Sequence, residues 1–438
     1  MSDRPLKSAW VQTRAARSET LLAEILRAVF TDHQAADRFL QRVFRTDRRI
    51  GGRDRRLYSE LIFGVFRWFG PLQKYNSGPA FLLAGAAAAE RIDDPVFGLF
   101  LQNSGLEESA ASELLKPESP LDRLNAFLRL AGDSPASWAE CLPEWCFSHL
   151  DFTPDEAFFR SQQTRSPLWL RIRRPGDWSA VADSLRQNGI EAMSHERLGA
   201  CRIPGGNVNL DRLEICRQGR VEVQDLSSQC IGLVCAPEPG QHWWDACAGG
   251  GGKTLQLASL MLGSGLIYAS DVRERKLPEI KRRAALAKFT NIRTNPWDGT
   301  RLPVAENSCD GVLVDAPCSG SGRWRRNPES RWILSEAKVA ELAALQRKIL
   351  DSASKAVKPG GVLVYATCSL LCDENRLNAE QFLVTHPDFG PEDFTHPLTG
   401  GKTPVPGQVQ ILPADGDCDA AFIARFRRKG DLSCACRS

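Results

Sequence analysis

Two cysteines stand where a reaction could be run. Cys318, in D-A-P-C-S-G-S-G, follows the apolar run Gly311 to Val314, and Cys368, in Y-A-T-C-S, follows the run Gly361 to Ala366. One cysteine after a buried strand is usually a packing residue. Two of them, each flanked by turn or hydroxyl residues, suggest a nucleophile and a helper, because a thiolate attacks well but needs a neighbour to manage its proton. Position alone does not say which is which.

A cofactor loop accompanies them. The stretch Trp243 to Thr254, W-W-D-A-C-A-G-G-G-G-K-T, reads as a short buried strand that breaks into Gly249, Gly250, Gly251 and Gly252, followed by a helix from Lys253 to Leu262. Glycines admit positive φ and leave no side chain between the backbone and a ligand. The free N–H groups at the start of the helix attract an anion. A phosphate loop of the NTPase kind is excluded, because that pattern needs a glycine where Cys247 stands. Asp271 ends the strand-like run Gly265 to Ser270, about twenty residues past the loop, where an acid that binds a ribose is expected. These features alone suit a nicotinamide enzyme as well as a methyltransferase, and also a tight turn without ligand. Asp298, in P-W-D-G, can meet an adenine or simply make a turn before Gly299. Lys253 is either a contact to the reacting groups or a plain lysine at a helix start.

These residues must be positioned by the elements around them. Strand-like and helical segments alternate from Trp243 onwards: helices at about 278–289 and 335–357, strands at 291–294, 311–314 and 361–366. Such alternation predicts an α/β fold with a doubly wound, mostly parallel sheet, whose ligands collect at the carboxyl ends of the strands. Four of those ends carry Asp245, Asp271, Asp315 with Cys318, and Cys368. Upstream, residues 155–230 mix a strand at 168–173, a helix at 177–187, a turn at Gly205, Gly206 and Asn207, and shorter strand-like pieces, which predicts a small α/β module. From Ser18 to about Leu130 the spacing is helical, with Leu22, Ile25, Leu26, Val29 and Phe30 on one face and Leu57, Leu61, Ile62, Val65 and Phe66 on another. The segments at Ala84 to Ala89 and around Pro117, Pro120 and Pro135 lack periodicity and read as connections.

Eight arginines against three acids lie between Gln41 and Arg67, which is either a solvated face or a surface for RNA phosphates. Arg323, Arg325 and Arg326, with Trp324 among them, pose the same choice: a grip on RNA or a solvated loop. The whole chain of 438 residues has a net charge of +3 and 42% hydrophobic residues, ordinary for a globular protein of several domains. The N-terminus has no apolar signal core and no run is long enough to span a bilayer, so a cytoplasmic protein is expected. The fourteen cysteines form no C-x-x-C pair and none combines with histidine at zinc spacing. Reduced thiols and no metal are therefore expected.

Motif for motif, W-D-A-C-A-G-G-G-G-K-T, Y-A-S-D-V, V-D-A-P-C-S-G-S-G and Y-A-T-C-S resemble the RNA cytosine-5 methyltransferases of the RsmB/Sun type. The resemblance covers about Val223 to Arg428. It departs in A-G-G-G-G-K, where many members have A-A-P-G-G-K, and in Cys418-Asp419-Ala420-Ala421, which replaces a glycine-containing turn. It implies a Rossmann-like class I methyltransferase domain over 231–430. Residues 155–230 are similar to an RRM-like module, and G-G-R-D-R-R-L-Y-S-E-L-I-F-G-V-F-R-W within 1–150 resembles an all-α NusB-like RNA-binding domain. The resemblance also implies S-adenosylmethionine as cofactor, lined by Cys247, Ala248, Gly249, Gly250, Gly251, Gly252 and Lys253, with Asp271 on the ribose and Asp298 on the adenine side. Asp315 would lie near cofactor and base, Cys368 would be the nucleophile, and Cys318 would help release product. The substrate implied is RNA, with ribosomal (16S) RNA favoured over transfer RNA, and the protein a monomer. A non-catalytic RNA-binding assembly factor is the reading from another class, and a DNA cytosine methyltransferase fits less well because T-C-S is not part of that pattern.

Overall fold

The computed structural model describes residues 4–75, 78–204, 208 and 210–430. The turn expected at Gly205, Gly206 and Asn207 lies outside them. The chain divides into two compact units: Met1–Ser148, Phe152–Thr164 and Trp324–Leu334 form the first, and His149–Asp151, Arg165–Arg323 and Ser335–Ser438 the second.

The first unit is helical. Its helices Arg4–Phe30, Ala36–Thr46 and Gly52–Arg67 bury the apolar stripes read from the spacing, Leu22, Ile25 and Val29 on one and Leu57, Leu61, Ile62, Val65 and Phe66 on another. Two expected connections are helices instead. Ala84 to Ala89 belongs to the helix Pro79–Ala89, buried on nearly every face. A helix with no exposed side needs no polar stripe, so it shows no period to read. Gly85 allows its close approach, since a Cβ there would lie 2.4 Å from Leu72 Cδ2 and 3.0 Å from Phe127 Cε1. Pro120 opens the helix Pro120–Leu130, in the first turn, where its missing N–H has no intrahelical partner to lose.

The third piece of this unit comes from the middle of the sequence. Trp324, Arg325, Glu329 and Arg331 are all buried in it. Arg331 donates to the carbonyls of Cys141 (3.0 Å), Gln162 (3.3 Å) and Trp324 (3.4 Å). Trp332 Nε1 donates to the Phe66 carbonyl at 2.7 Å, and Glu329 accepts from the Ala36 N–H at 3.2 Å. Arg325 donates to the Thr164 carbonyl and, at 2.9 Å, to its hydroxyl. Both readings of this cluster therefore need correction: Trp324 and Arg325 neither grip RNA nor face solvent, because both side chains are buried and the Arg325 guanidinium is bound to Thr164. Arg323 is exposed and Arg326 half-buried.

The second unit holds two sheets. The smaller comprises β1 (Leu168–Ile172), β2 (Met193–His195), β3 (Ala200–Ile203) and β4 (Val221–Val223), all antiparallel in the order β2-β3-β1-β4. The helix Trp178–Gln187 covers it through Val181 and Leu185. The larger sheet begins with β5 (His242–Asp245), β6 (Leu266–Asp271), β7 (Ile292–Pro296), β8 (Cys309–Asp315) and β9 (Val357–Thr367), paired in parallel in the order β7-β6-β5-β8-β9. It continues antiparallel through β10 (Phe389–Pro391), β11 (Gln408–Ile411) and β12 (Ala421–Arg428), with β12 between β9 and β10 and β11 also paired to β12. Strands buried on both faces account for the continuous apolar runs of β8 and β9, where Val312, Leu313, Leu363 and Val364 are fully buried. The chain winds one way from β5 to β7 and the other way from β8 to β9, so β5 and β8 flank the switch point at which such sheets bind ligands.

No described helix is long and apolar enough to cross a membrane. Among the described residues no group of three or more His, Cys, Asp and Glu is placed to hold a metal ion.

Candidate active site

Because β5, β6, β8 and β9 are parallel neighbours, their carboxyl ends lie along one edge, and four expected site segments follow from them. After β5 the chain turns through the glycine loop into the helix Gly252–Leu260. Gly249 (φ 54°) and Gly251 (φ 85°) take the left-handed conformation, which only glycine adopts without strain. A Cβ on Gly252 would meet nothing within 4 Å, and one on Gly249 only the Arg273 guanidinium at 3.9 Å. At Gly249 and Gly252 the loop therefore presents bare backbone to open space, which fits a cofactor held by main-chain groups, whereas at Gly251 a Cβ would meet Ile280 at 3.0 Å.

Asp271, at the end of β6, is buried and tied to that loop. Its carboxylate accepts from the Gly249 N–H at 2.8 Å and from the Arg273 N–H and Nε at 2.9 Å. Burial works against its charge, but these hydrogen bonds outweigh it and hold the carboxyl below its usual range. Asp245, at the end of β5, is fully buried and accepts from Thr254 Oγ1 at 2.6 Å. Asp298 is exposed and accepts from the Thr300 N–H and hydroxyl, at 3.0 and 2.6 Å. It thus makes its own turn, one of the two roles its sequence left open. Cys247 and Ala248 are half-buried beside the loop.

The two cysteines come together. Cys318 Sγ and Cys368 Sγ lie 3.3 Å apart, one beyond β8 and the other beyond β9. The hydrogen bond they share has opposite effects on the partners. It lowers the Cys368 pKa, with Arg323 and Lys253 assisting against burial and the Asp315 charge. It raises Cys318 well above the usual thiol range, and burial adds to the rise. Of the two, Cys368 is the more readily ionised and Cys318 the more firmly protonated. Lys253 does not simply point to solvent from its helix: its Nζ lies 2.7 Å from Asp315 Oδ2. Burial disfavours the Lys253 charge, and the attraction and hydrogen bond of Asp315 more than offset this, so its pKa is raised. The result is a site with two adjacent sulfurs, an ion pair and a glycine loop on adjacent strand ends.

The loops are braced from behind by residues that motif reading passed over. Glu374 is fully buried and accepts from Ser319 and Ser369, the residues that follow the two cysteines. The Gly322 N–H donates to the Cys368 carbonyl at 3.0 Å. Asn375 Nδ2 donates to the Ser369 carbonyl at 2.9 Å. The available signal was the D-E-N that follows T-C-S within a few residues, polar groups in a stretch that must turn back into the sheet.

Comparison with known proteins agrees with this geometry. Residues 232–427 match the family described as 16S rRNA methyltransferase RsmB/F. The chain is 28% identical over 422 residues to ribosomal RNA small subunit methyltransferase B of Salmonella paratyphi B, covering 87% of this chain and 92% of that protein. It is 36% identical over 268 residues to the protein of the same name from Erwinia tasmaniensis, 60% of each. The crystal structure of PH0851 is similar over 94% of this chain and 99% of its own, with 25% sequence identity and a TM-score of 0.73. Site, sheet and relatives agree, and the chain belongs to the RsmB/Sun type of methyltransferases.

Proposed function

We propose that this protein transfers a methyl group from S-adenosylmethionine to C5 of an unpaired cytosine in ribosomal RNA, with Cys368 as nucleophile and Cys318 as the group that completes the reaction. The observation that carries the reading is the pair of sulfurs 3.3 Å apart, in surroundings that favour the thiolate at Cys368 and the thiol at Cys318. Cytosine C5 is too weak a nucleophile to take a methyl group unaided. Addition of the Cys368 sulfur to C6 pushes the ring electrons to C5, which becomes the carbon of an enamine. Bound S-adenosylmethionine supplies an electrophilic methyl group to that carbon. The C5 proton then leaves, the ring double bond re-forms and the C6–S bond breaks, returning the thiolate.

The roles of the remaining residues follow from their places. Once the Cys368 sulfur is bonded to C6 it carries no charge, and the main cause that holds the proton on Cys318 is gone. Cys318 can then release its proton to solvent and, as a thiolate, take the C5 proton. Asp315, fixed by Lys253, would hold the N3 and N4 edge of the base and favour the adduct. Cys247 to Lys253 would line the cofactor, with Asp271 on its ribose. Arg273 bonds to Asp271 but its side chain is 55% exposed, so it can swing aside for the ribose hydroxyls. Asp298 would need to leave its turn to meet the adenine.

The names of the relatives point to ribosomal RNA as substrate. Residues 1–150 would serve as a NusB-like RNA-binding part, where Arg42, Arg45, Arg48, Arg53 and Arg56 are exposed and suit phosphates. Residues 155–230 would be an RRM-like module and 231–430 the catalytic part. The test is to incubate single variants with ribosomal RNA and cofactor. Cys368→Ala is expected to give neither methylation nor a covalent species. Cys318→Ala is expected to transfer the methyl and then stall, leaving RNA bound to protein through denaturing electrophoresis until RNase is added. A trapped species in Cys368→Ala and none in Cys318→Ala would reverse the assignment.

A further inference from the structure

The two reactive sulfurs belong to different loops, and neither loop contacts the other through a regular ladder beyond β8 and β9. Cytosine C5 and C6 are bonded neighbours, so the sulfur that attacks C6 and the one that acts at C5 must be held in a fixed relation. A displacement of about 1 Å in such an arrangement can cost about a hundredfold in rate. Several side chains bridge the gap, and Glu374 reaches both loops with one carboxylate. Glu374 Oε1 accepts from the Ser319 N–H at 2.8 Å and from Gln346 Nε2 at 3.0 Å. Its Oε2 accepts from the hydroxyls of Ser319 and Ser369, both at 2.5 Å. Ser319 follows Cys318 and Ser369 follows Cys368. Gln346 also donates to the Pro317 carbonyl at 2.9 Å, on the other side of Cys318. Ser321 adds a bridge between the loops, with its hydroxyl 3.0 Å from that of Ser369 and accepting from the Leu370 N–H at 2.8 Å.

We propose that Glu374 is a positioning residue for the reaction: its buried carboxylate ties the loop of Cys318 to the loop of Cys368 and sets the separation of the two sulfurs. This rests on the two-cysteine mechanism above. A carboxylate suits the task because it accepts on both oxygens at once, whereas an amide offers one accepting oxygen. Burial makes the arrangement stiff, since every broken bond would leave a polar group without water. The negative charge of Glu374 also contributes to keeping Cys318 protonated, while Lys253 and Arg323 favour the Cys368 thiolate and Asp315 opposes it.

The separation can be read without RNA or cofactor. Diamide oxidises two adjacent thiols to a disulfide and takes up their two protons and two electrons as its hydrazine. The rate of Cys318–Cys368 closure, followed by mass spectrometry of the linked peptide in the full chain, therefore reports how the sulfurs are held. Glu374→Ala is expected to slow closure by about tenfold or more and to slow methyl transfer in parallel, with cofactor affinity unchanged. Glu374→Gln keeps the shape and one acceptor, and is expected to recover most of the closure rate. In that variant the alkylation of Cys318 by iodoacetamide should also begin at lower pH, because the charge has gone. Should Glu374→Ala fail to fold, the Ser319→Ala, Ser369→Ala double variant removes one hydroxyl from each loop and is expected to slow closure likewise. Wild-type closure rates in the folded variants would overturn the proposal. Slowed closure supports it even if the wild-type protein forms no RNA adduct, an outcome that would sink the two-cysteine mechanism alone.

Discussion

Asp245 makes the stability of the catalytic unit depend on pH in an uncommon direction. The residue is fully buried at the end of β5. One oxygen accepts from Thr254 at 2.6 Å, and among the described residues the other, also buried, has no hydrogen-bond partner. Burial pushes its pKa up to about 7; the Thr254 hydrogen bond and Lys253 oppose the rise, and the charges of Asp315 and Asp271 add to it. In the unfolded chain the value returns to about 3.9. Between those values the folded protein holds a proton that the unfolded chain has released, so stability falls as pH rises. The contribution is fully present below about pH 4 and is gone above about pH 7. A difference of about three pH units corresponds to about 4 kcal/mol. Asp245→Asn keeps an oxygen for Thr254 and removes the titration. For a unit of this size 1 kcal/mol moves Tm by about 2–4 °C. Between pH 4.5 and pH 7.5 about 3 kcal/mol of the Asp245 contribution is lost, so wild type should lose about 6–12 °C more than Asp245→Asn. The assay is a thermal melt of both proteins across that range, followed by tryptophan fluorescence, for which Trp243 and Trp244 lie beside the mutated residue. Parallel curves for the two proteins would refute the reasoning and mean that Asp245 is charged, or paired, in the folded state throughout.

Three further outcomes are expected. A Cβ at Gly322 would lie 2.4 Å from the Ala420 carbonyl oxygen and 2.9 Å from that of Cys368. Backbone must move to admit it, so Gly322→Ala should cost about 1–3 kcal/mol and slow methyl transfer, as a melt and a single-turnover assay would record; wild-type values in both would mean the loop yields freely. Asp271→Ala should weaken S-adenosylmethionine binding by about 2–3 kcal/mol, and unchanged affinity by calorimetry in a folded variant would remove it as the ribose ligand. Removing residues 1–148 takes the Cys141 carbonyl from Arg331 and the Phe66 carbonyl from Trp332, leaving Trp324 and Trp332 without their cover. The truncated chain should bind a hydrophobic dye and melt at lower temperature, and a melt like that of the catalytic unit in the full chain would show that this packing is dispensable.

Local pattern carried much of this protein. The glycine loop, the acids on strand ends and the two cysteines could be read because each depends on neighbours in sequence: a glycine where φ is positive, an apolar run where a strand is buried on both faces, a polar residue where that run ends. The winding of the sheet follows from the alternation of those runs with helices, since parallel strands need crossovers. What depends on contact between distant residues was out of reach. The opposite bias of the two thiols, toward ionisation at Cys368 and against it at Cys318, arises from a 3.3 Å approach that no spacing announces. Lys253 found Asp315 rather than solvent because β8 lies beside β5 in the sheet. Ala84 to Ala89 looked shapeless because its helix is enclosed and needs no second face. Trp324 and Arg325 looked like an RNA grip because an arginine satisfied by buried oxygens and one facing water are written with the same letter. Glu374 shows the limit most plainly: as a letter it is one acid among many, and only the fold buries it and brings the hydroxyls of Ser319 and Ser369 together on its Oε2.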